Sequence, residues 1–98
     1  MLVVIATLPG KPDKREEITA ALTKAAVATR AEEGCLSYAF HVDLENVDRY
    51  VSVETWTDQD SLDAHFTTPH LVELLSQAPD LLGGEVVIDT YETEGPKG

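Results

Sequence analysis

The segment Leu2-Val-Val-Ile-Ala-Thr-Leu8 is apolar on both of its alternating faces, and in a chain of 98 residues that removes most fold options. A sheet with one wet face has strands that alternate apolar and polar residues, whereas a strand apolar on both sides needs cover on both. One domain of this length buries about 65% of the surface its unfolded chain exposes, enough for a single shallow core. The later run Val86-Val-Ile88 has the same two-faced character. Helices within so short a chain can cover only one face of the sheet. The simplest cover for the other is a second copy of the same sheet, so the pattern predicts a homodimer packed sheet to sheet.

The remaining elements fall into a definite order. Pro9-Gly10 ends the first strand, and residues 13–30 read as a helix with Ile18, Leu22, Ala25 and Thr29 on one face. Asp13 is its expected cap, with Glu16 three residues on, and Gly34 its expected stop. A second strand has Leu36, Tyr38, Phe40 and Val42 on one side. After a polar loop over 43–48 comes a return strand over 49–56, with Tyr50, Ser52, Glu54 and Trp56 sharing a face. Asp58 caps a short helix containing Leu62 and Phe66. Thr68 caps another with Pro69 at its first position and Leu71, Val72, Leu74 and Leu75 inside. Gly83-Gly84 turns into a last strand over 85–91. The order β-α-β-β-α-β predicts an α+β, ferredoxin-like subunit in one domain over residues 1–92, followed by a polar tail over 93–98.

Charge and composition exclude several function classes. Eighteen acids against seven bases give a net charge of −11. A phosphate-tracking surface needs clustered Lys and Arg, and the one basic cluster, Lys11, Lys14 and Arg15, runs straight into Glu16 and Glu17. Neither nucleic acid nor a membrane is expected as a partner. No run reaches the roughly 20 apolar residues of a membrane span. The apolar start is too short for a secretory leader, and the single cysteine, Cys35, fits a reduced, cytoplasmic setting. No CxxC, HExxH, GxGxxG or P-loop pattern is present, so no metal or cofactor is expected. His65 and His70, five residues apart across a helix break, read as a poor ligand pair.

Proton chemistry concentrates between residues 54 and 70. Glu54 and Trp56 share a strand face. Trp56 is either the wall of a site or ordinary core, and Glu54 in an apolar layer needs a partner, because burying a carboxylate is costly. His65 falls on the buried stripe of its helix and is either a structural or a functional group. His70 lies in the first turn after Thr68-Pro69, where the helix dipole disfavours imidazolium. Tyr38 faces the core, and His41 faces the opposite side of its strand.

In this order and spacing, Glu32-Glu-Gly-Cys35, Tyr38, Glu54-x-Trp56 and Leu62-x-Ala-His65-x-x-Thr-Pro-His70 resemble the antibiotic biosynthesis monooxygenase (ABM) domain family, in particular its quinol monooxygenase branch. The resemblance runs from about Leu2 to Tyr91. It implies a homodimeric α/β barrel of ferredoxin-like subunits, each with a pocket between sheet and helices. It also implies oxidation of a quinol or aromatic phenol by O₂ without metal or flavin. On that reading His65 or His70 is the base, Glu54 orients a histidine or a substrate hydroxyl, and Tyr38, Trp56 and Phe66 bind substrate. Two alternatives stay open. One is an isomerase of a small sugar-like signalling molecule using His and Glu as proton shuttles, and the other is a non-catalytic dimeric binding protein. The haem-degrading relatives fit poorly, since the first strand has no Asn and Leu75 stands where a haem-ligating His is needed.

Overall fold

The computed structural model describes all 98 residues. Strand β1 spans Leu2–Pro9, a single 3₁₀ turn covers Pro12–Lys14, and helix α1 runs Arg15–Arg30. Strands β2 (Cys35–Asp43) and β3 (Asn46–Trp56) form a hairpin. Helices α2 (Gln59–His65) and α3 (Pro69–Leu81) follow, and β4 (Val87–Glu92) closes the sheet. The strand order is β2-β3-β1-β4 with every neighbouring pair antiparallel, an α+β ferredoxin-like fold. No helix is long and apolar enough to cross a membrane.

Strand alternation decides what the core contains. Leu2, Val4, Ala6 and Leu8 of β1 lie opposite Trp56, Glu54, Ser52 and Tyr50 of β3, and all eight are buried. Helix α1 covers this face with Ile18, Leu22, Ala25, Ala26 and Thr29. The other face of the sheet carries Ile5 opposite Val53, with Val87 and Tyr91 on β4, all of them exposed in the single chain.

Four expectations are corrected. Asp13 and Glu16 form no capping box: Pro12 begins a 3₁₀ turn, α1 starts at Arg15, and its cap Lys14 makes no side-chain cap bond. Leu36 does not share the inner face with Tyr38. The β2–β3 register shifts between Cys35 and Ser37, so Leu36 turns outward and Cys35 packs against the core beside Trp56. Val72 lies on the outer side of α3 and is mostly exposed. Gly34 does not stop α1, which ends at Arg30. It shapes the turn that follows, where φ is +84° and an added Cβ would collide with the Ser61 side chain.

Thr68 is the hinge between α2 and α3. Its hydroxyl caps α3 at Leu71 N and donates to the His65 carbonyl at 2.7 Å. Thr68→Ala is expected to cost about 1 kcal/mol and to lower the melting temperature by about 4–8 °C. Calorimetry decides this, and an unchanged melting temperature would mean that the cap contributes nothing.

Candidate functional site

Between the sheet and the helices lies an apolar cavity of about 70 Å³. Its floor comes from β1 and β3, and its roof from α3 through Leu71, Leu74, Leu75, Ala78 and Leu81. Only Ser52, Glu54 and His65 among its lining residues are not hydrophobic. The roof is lightly seated, because Leu71 is the one α3 residue that is fully buried. Its C-terminal end is fastened to the chain beyond β1: Lys11 N donates to the Leu81 carbonyl, and Lys11 Nζ to that of Pro79.

Glu54 is buried, yet it bonds to neither histidine. Its Oε2 accepts from Ser52 Oγ at 2.7 Å and its Oε1 from Trp56 Nε1 at 3.0 Å. Both partners lie two residues away along β3 or its end, so the strand itself satisfies the carboxylate that an apolar layer would otherwise penalise. Trp56 is completely buried and does not line the cavity. It backs the site, its ring centroid 4.8 Å from that of His65. Tyr38 and Phe66 do line the cavity, with ring centroids 5.6 Å and 5.4 Å from His65. Burial pushes the Tyr38 phenol well above its ordinary range, and the nearby carboxylates of Glu54 and Glu32 add to the effect. Tyr38 is thus held as a neutral hydroxyl. The Thr29 hydroxyl close to it is buried without a partner in bonding geometry.

The residue that gathers the histidines is Glu32. It lies in the turn between α1 and β2, a turn fixed by Glu32 N donating to Thr29 O and Cys35 N donating to Glu32 O. One atom of its carboxylate, Oε2, is 2.7 Å from His65 Nδ1 and 2.7 Å from His70 Nε2. A carboxylate can only accept, so each ring donates its N–H to it. His65 is buried at the end of α2, while His70 at the start of α3 faces the groove between α1 and α3. The His–Glu–His unit therefore runs from the cavity wall toward solvent. It also brings together two histidines whose sequence spacing suggests that they stay apart.

His65 is left with a defined tautomer. Its Nδ1–H is committed to Glu32, and Nε2 makes no hydrogen bond within the chain. Glu32 does not line the cavity but His65 does, and Nε2 is the ring nitrogen that the Glu32 bond leaves unoccupied. A carboxylate that holds Nδ1–H and leaves Nε2 bare is the arrangement that makes histidine a general base in the hydrolase triads.

The sequence matches the antibiotic biosynthesis monooxygenase family model over residues 1–77. The chain belongs to the antibiotic biosynthesis monooxygenase family. The Synechocystis protein named "Uncharacterized protein sll1783" is 35% identical over 91 residues, which is 93% of this chain. The chain spans only 62% of that relative's length. The Mycobacterium tuberculosis protein named "Putative monooxygenase Rv0793" is 31% identical over 89% of this chain and 85% of its own. Its solved structure superposes with a TM-score of 0.91, covering 99% of this chain and 98% of that one. PA3566 from Pseudomonas aeruginosa superposes at 0.88 with 30% identity, covering 96% and 94%. ABM membership and the ferredoxin-like subunit thus agree with the reading of the sequence, and names among the relatives support a monooxygenase-like function in general terms.

Proposed function

We propose that this ABM-family chain is a cofactor-independent monooxygenase acting on a small quinol or aromatic phenol. The observation that carries the reading is His65, fixed by Glu32 with Nε2 unbonded at the wall of an apolar cavity. A quinol needs only to lose a proton there to become electron-rich enough to reduce O₂. One oxygen atom then enters the ring and the other leaves as water, with the quinol giving all the electrons. The apolar lining excludes bulk water from that step. Glu32 orients His65 and stabilises its charged form, and His70 supports Glu32 from the solvent side. Tyr38 and Phe66 contact the substrate ring. Trp56 holds Glu54 and His65 in place from behind.

The cavity's size gives a second reading some weight. A single benzene ring occupies a cavity of about 150 Å³, so at about 70 Å³ the site takes a ring only if the α3 roof lifts. A chain whose roof never lifts would be a binding protein for something smaller. The isomerase alternative has less support, because the cavity wall offers no Lys or Arg to an anionic sugar. Oxygen consumption with a panel of quinols tests the proposal. Stoichiometric uptake with a hydroxylated quinone as product supports it, and no uptake with any quinol transfers the case to the binding reading.

The proposed enzyme is a homodimer formed through the exposed sheet face, with a reducing compartment such as the cytoplasm as its setting. Ile5 and Val53, opposite one another at the centre of that face, would lie in the interface. Ile5→Asp is expected to give monomer or aggregate in sedimentation velocity where the unaltered chain gives dimer. A folded Ile5→Asp dimer, or a wild-type chain that stays monomeric at micromolar concentration, would refute the assembly.

A further inference from the structure

We propose that Glu32, His65 and His70 form a reversible site for a borderline divalent cation of the zinc class, and that the cation withdraws His65 from service as a base. The ligand atoms are Glu32 Oε2, His65 Nδ1 and His70 Nε2, and all three lie within 4.8 Å of one another. Two imidazoles and one carboxylate form a set that zinc uses when it keeps a fourth position open to water. Tetrahedral bonds of 2.0–2.1 Å separate ligand atoms by roughly 3.3 Å. The two N···O distances of 2.7 Å therefore have to lengthen by about 0.6 Å, and the two ring nitrogens, which stand up to 4.8 Å apart, have to draw together, a change that the less buried His70 and Glu32 side chains must supply to admit the ion.

The surroundings suit a cation. The three ligands come from three separate places in the fold: the α1–β2 turn, the end of α2 and the start of α3. Packing restrains the His65 ring on several sides through Trp56, Tyr38 and Phe66. His70 is the accessible member, and the groove beside it carries Glu17, Glu73 and Asp80 against the single Lys24. In a chain of net charge −11 this groove is an attractive route for a cation. Two imidazole nitrogens and one carboxylate oxygen favour zinc or cobalt over magnesium, which demands an octahedron of oxygens.

The consequence follows from imidazole chemistry. A neutral ring bound to metal through Nδ1 carries its proton on Nε2. Binding therefore moves the His65 proton from the Glu32 side to the cavity side, turning an acceptor into a donor without net proton release. The metal site stands independently of the monooxygenase reading; only the loss of catalytic function rests on it.

The test is binding of Zn²⁺ and Co²⁺ to the purified, chelator-treated protein by calorimetry, with Co²⁺ also followed by its visible spectrum. The expected result is one equivalent per chain, with intense bands of tetrahedral Co²⁺ and no heat from Mg²⁺. His70→Ala and Glu32→Gln should each weaken binding at least tenfold, while His41→Ala, on the far face of the sheet, leaves it unchanged. Nitrogen NMR of the histidine rings should show His65 Nε2 passing from bare to protonated as Zn²⁺ is added. Absence of binding, or affinity that survives both His70→Ala and Glu32→Gln, would overturn the site. Binding without the change at Nε2 would overturn the switch. None of these readouts needs a substrate, so the metal site stands or falls on them whether or not any quinol is oxidised.

Discussion

His65→Gln is expected to lower turnover on any quinol the wild type oxidises by about 10²–10⁴-fold. Gln fills much of the imidazole's volume, so the variant separates chemistry from the cavity that His65→Ala would open under a side chain as buried as this one. Its amide cannot take a proton near neutrality, and the loss is expected on kcat because the substrate contacts proposed for Tyr38 and Phe66 are untouched. Glu32→Gln is the companion variant. The amide still accepts from His65 Nδ1–H in one orientation but no longer offsets the charge that develops on the ring. Turnover should fall by at least about tenfold. Oxygen electrode rates under saturating quinol provide the measurement. Full activity in His65→Gln would remove His65 as the base, whereas a drop in His65→Gln with none in Glu32→Gln would remove the carboxylate's part.

The second large effect is on stability. Trp56→Ala is expected to cost about 3–5 kcal/mol, a large share of the roughly 5–15 kcal/mol that holds a typical domain together. Trp56 is the largest fully buried side chain, packed with Leu2, Val4, Ala26, Tyr38 and Leu62. Its loss opens a void and also strips Glu54 of the indole N–H. Trp56→Phe separates the two contributions. It keeps most of the packing and orphans Glu54 Oε1, a loss of about 1–3 kcal/mol for a buried polar atom left unpaired. Urea unfolding followed by circular dichroism reads both. A cost below about 1.5 kcal/mol for Trp56→Ala would show that the site collapses around the missing ring and that Glu54 finds water instead.

The strands are legible in the sequence because alternation is a local signal. Tyr50, Ser52, Glu54 and Trp56 share a face at any twist, and that face is the buried one. Leu36 escapes such reading because its direction depends on a bulge, and a bulge is set by how two strands meet. The start of α1 escapes it because Asp13 looks like a cap, while Pro12 and the 3₁₀ turn displace the helix by two residues. In the site, His65, His70, Glu54, Tyr38, Trp56 and Phe66 all lie in one neighbourhood, but the sequence hides their partnerships. Glu54 looks like the histidine's partner because it is near in sequence. The true partner, Glu32, is 33 and 38 residues away from the two rings it holds. Its one sequence signal is its place in Glu32-Glu-Gly-Cys35, where the glycine marks a turn.

The roof of the cavity and the carboxylate that holds His65 belong to different parts of the chain. Leu74, Leu75, Ala78 and Leu81 on α3 line the room available, whereas Glu32 reaches His65 from the α1–β2 turn. Exchanging those α3 side chains alters volume and shape without touching a bond to the imidazole. If the proposed function holds, descendants of such a chain can explore new substrates one roof residue at a time while His65 Nε2 stays where it was. On the proposed function, selection for specificity then acts mainly on α3 beyond its first turn, and selection for chemistry on the α1–β2 turn, the end of α2 and His70.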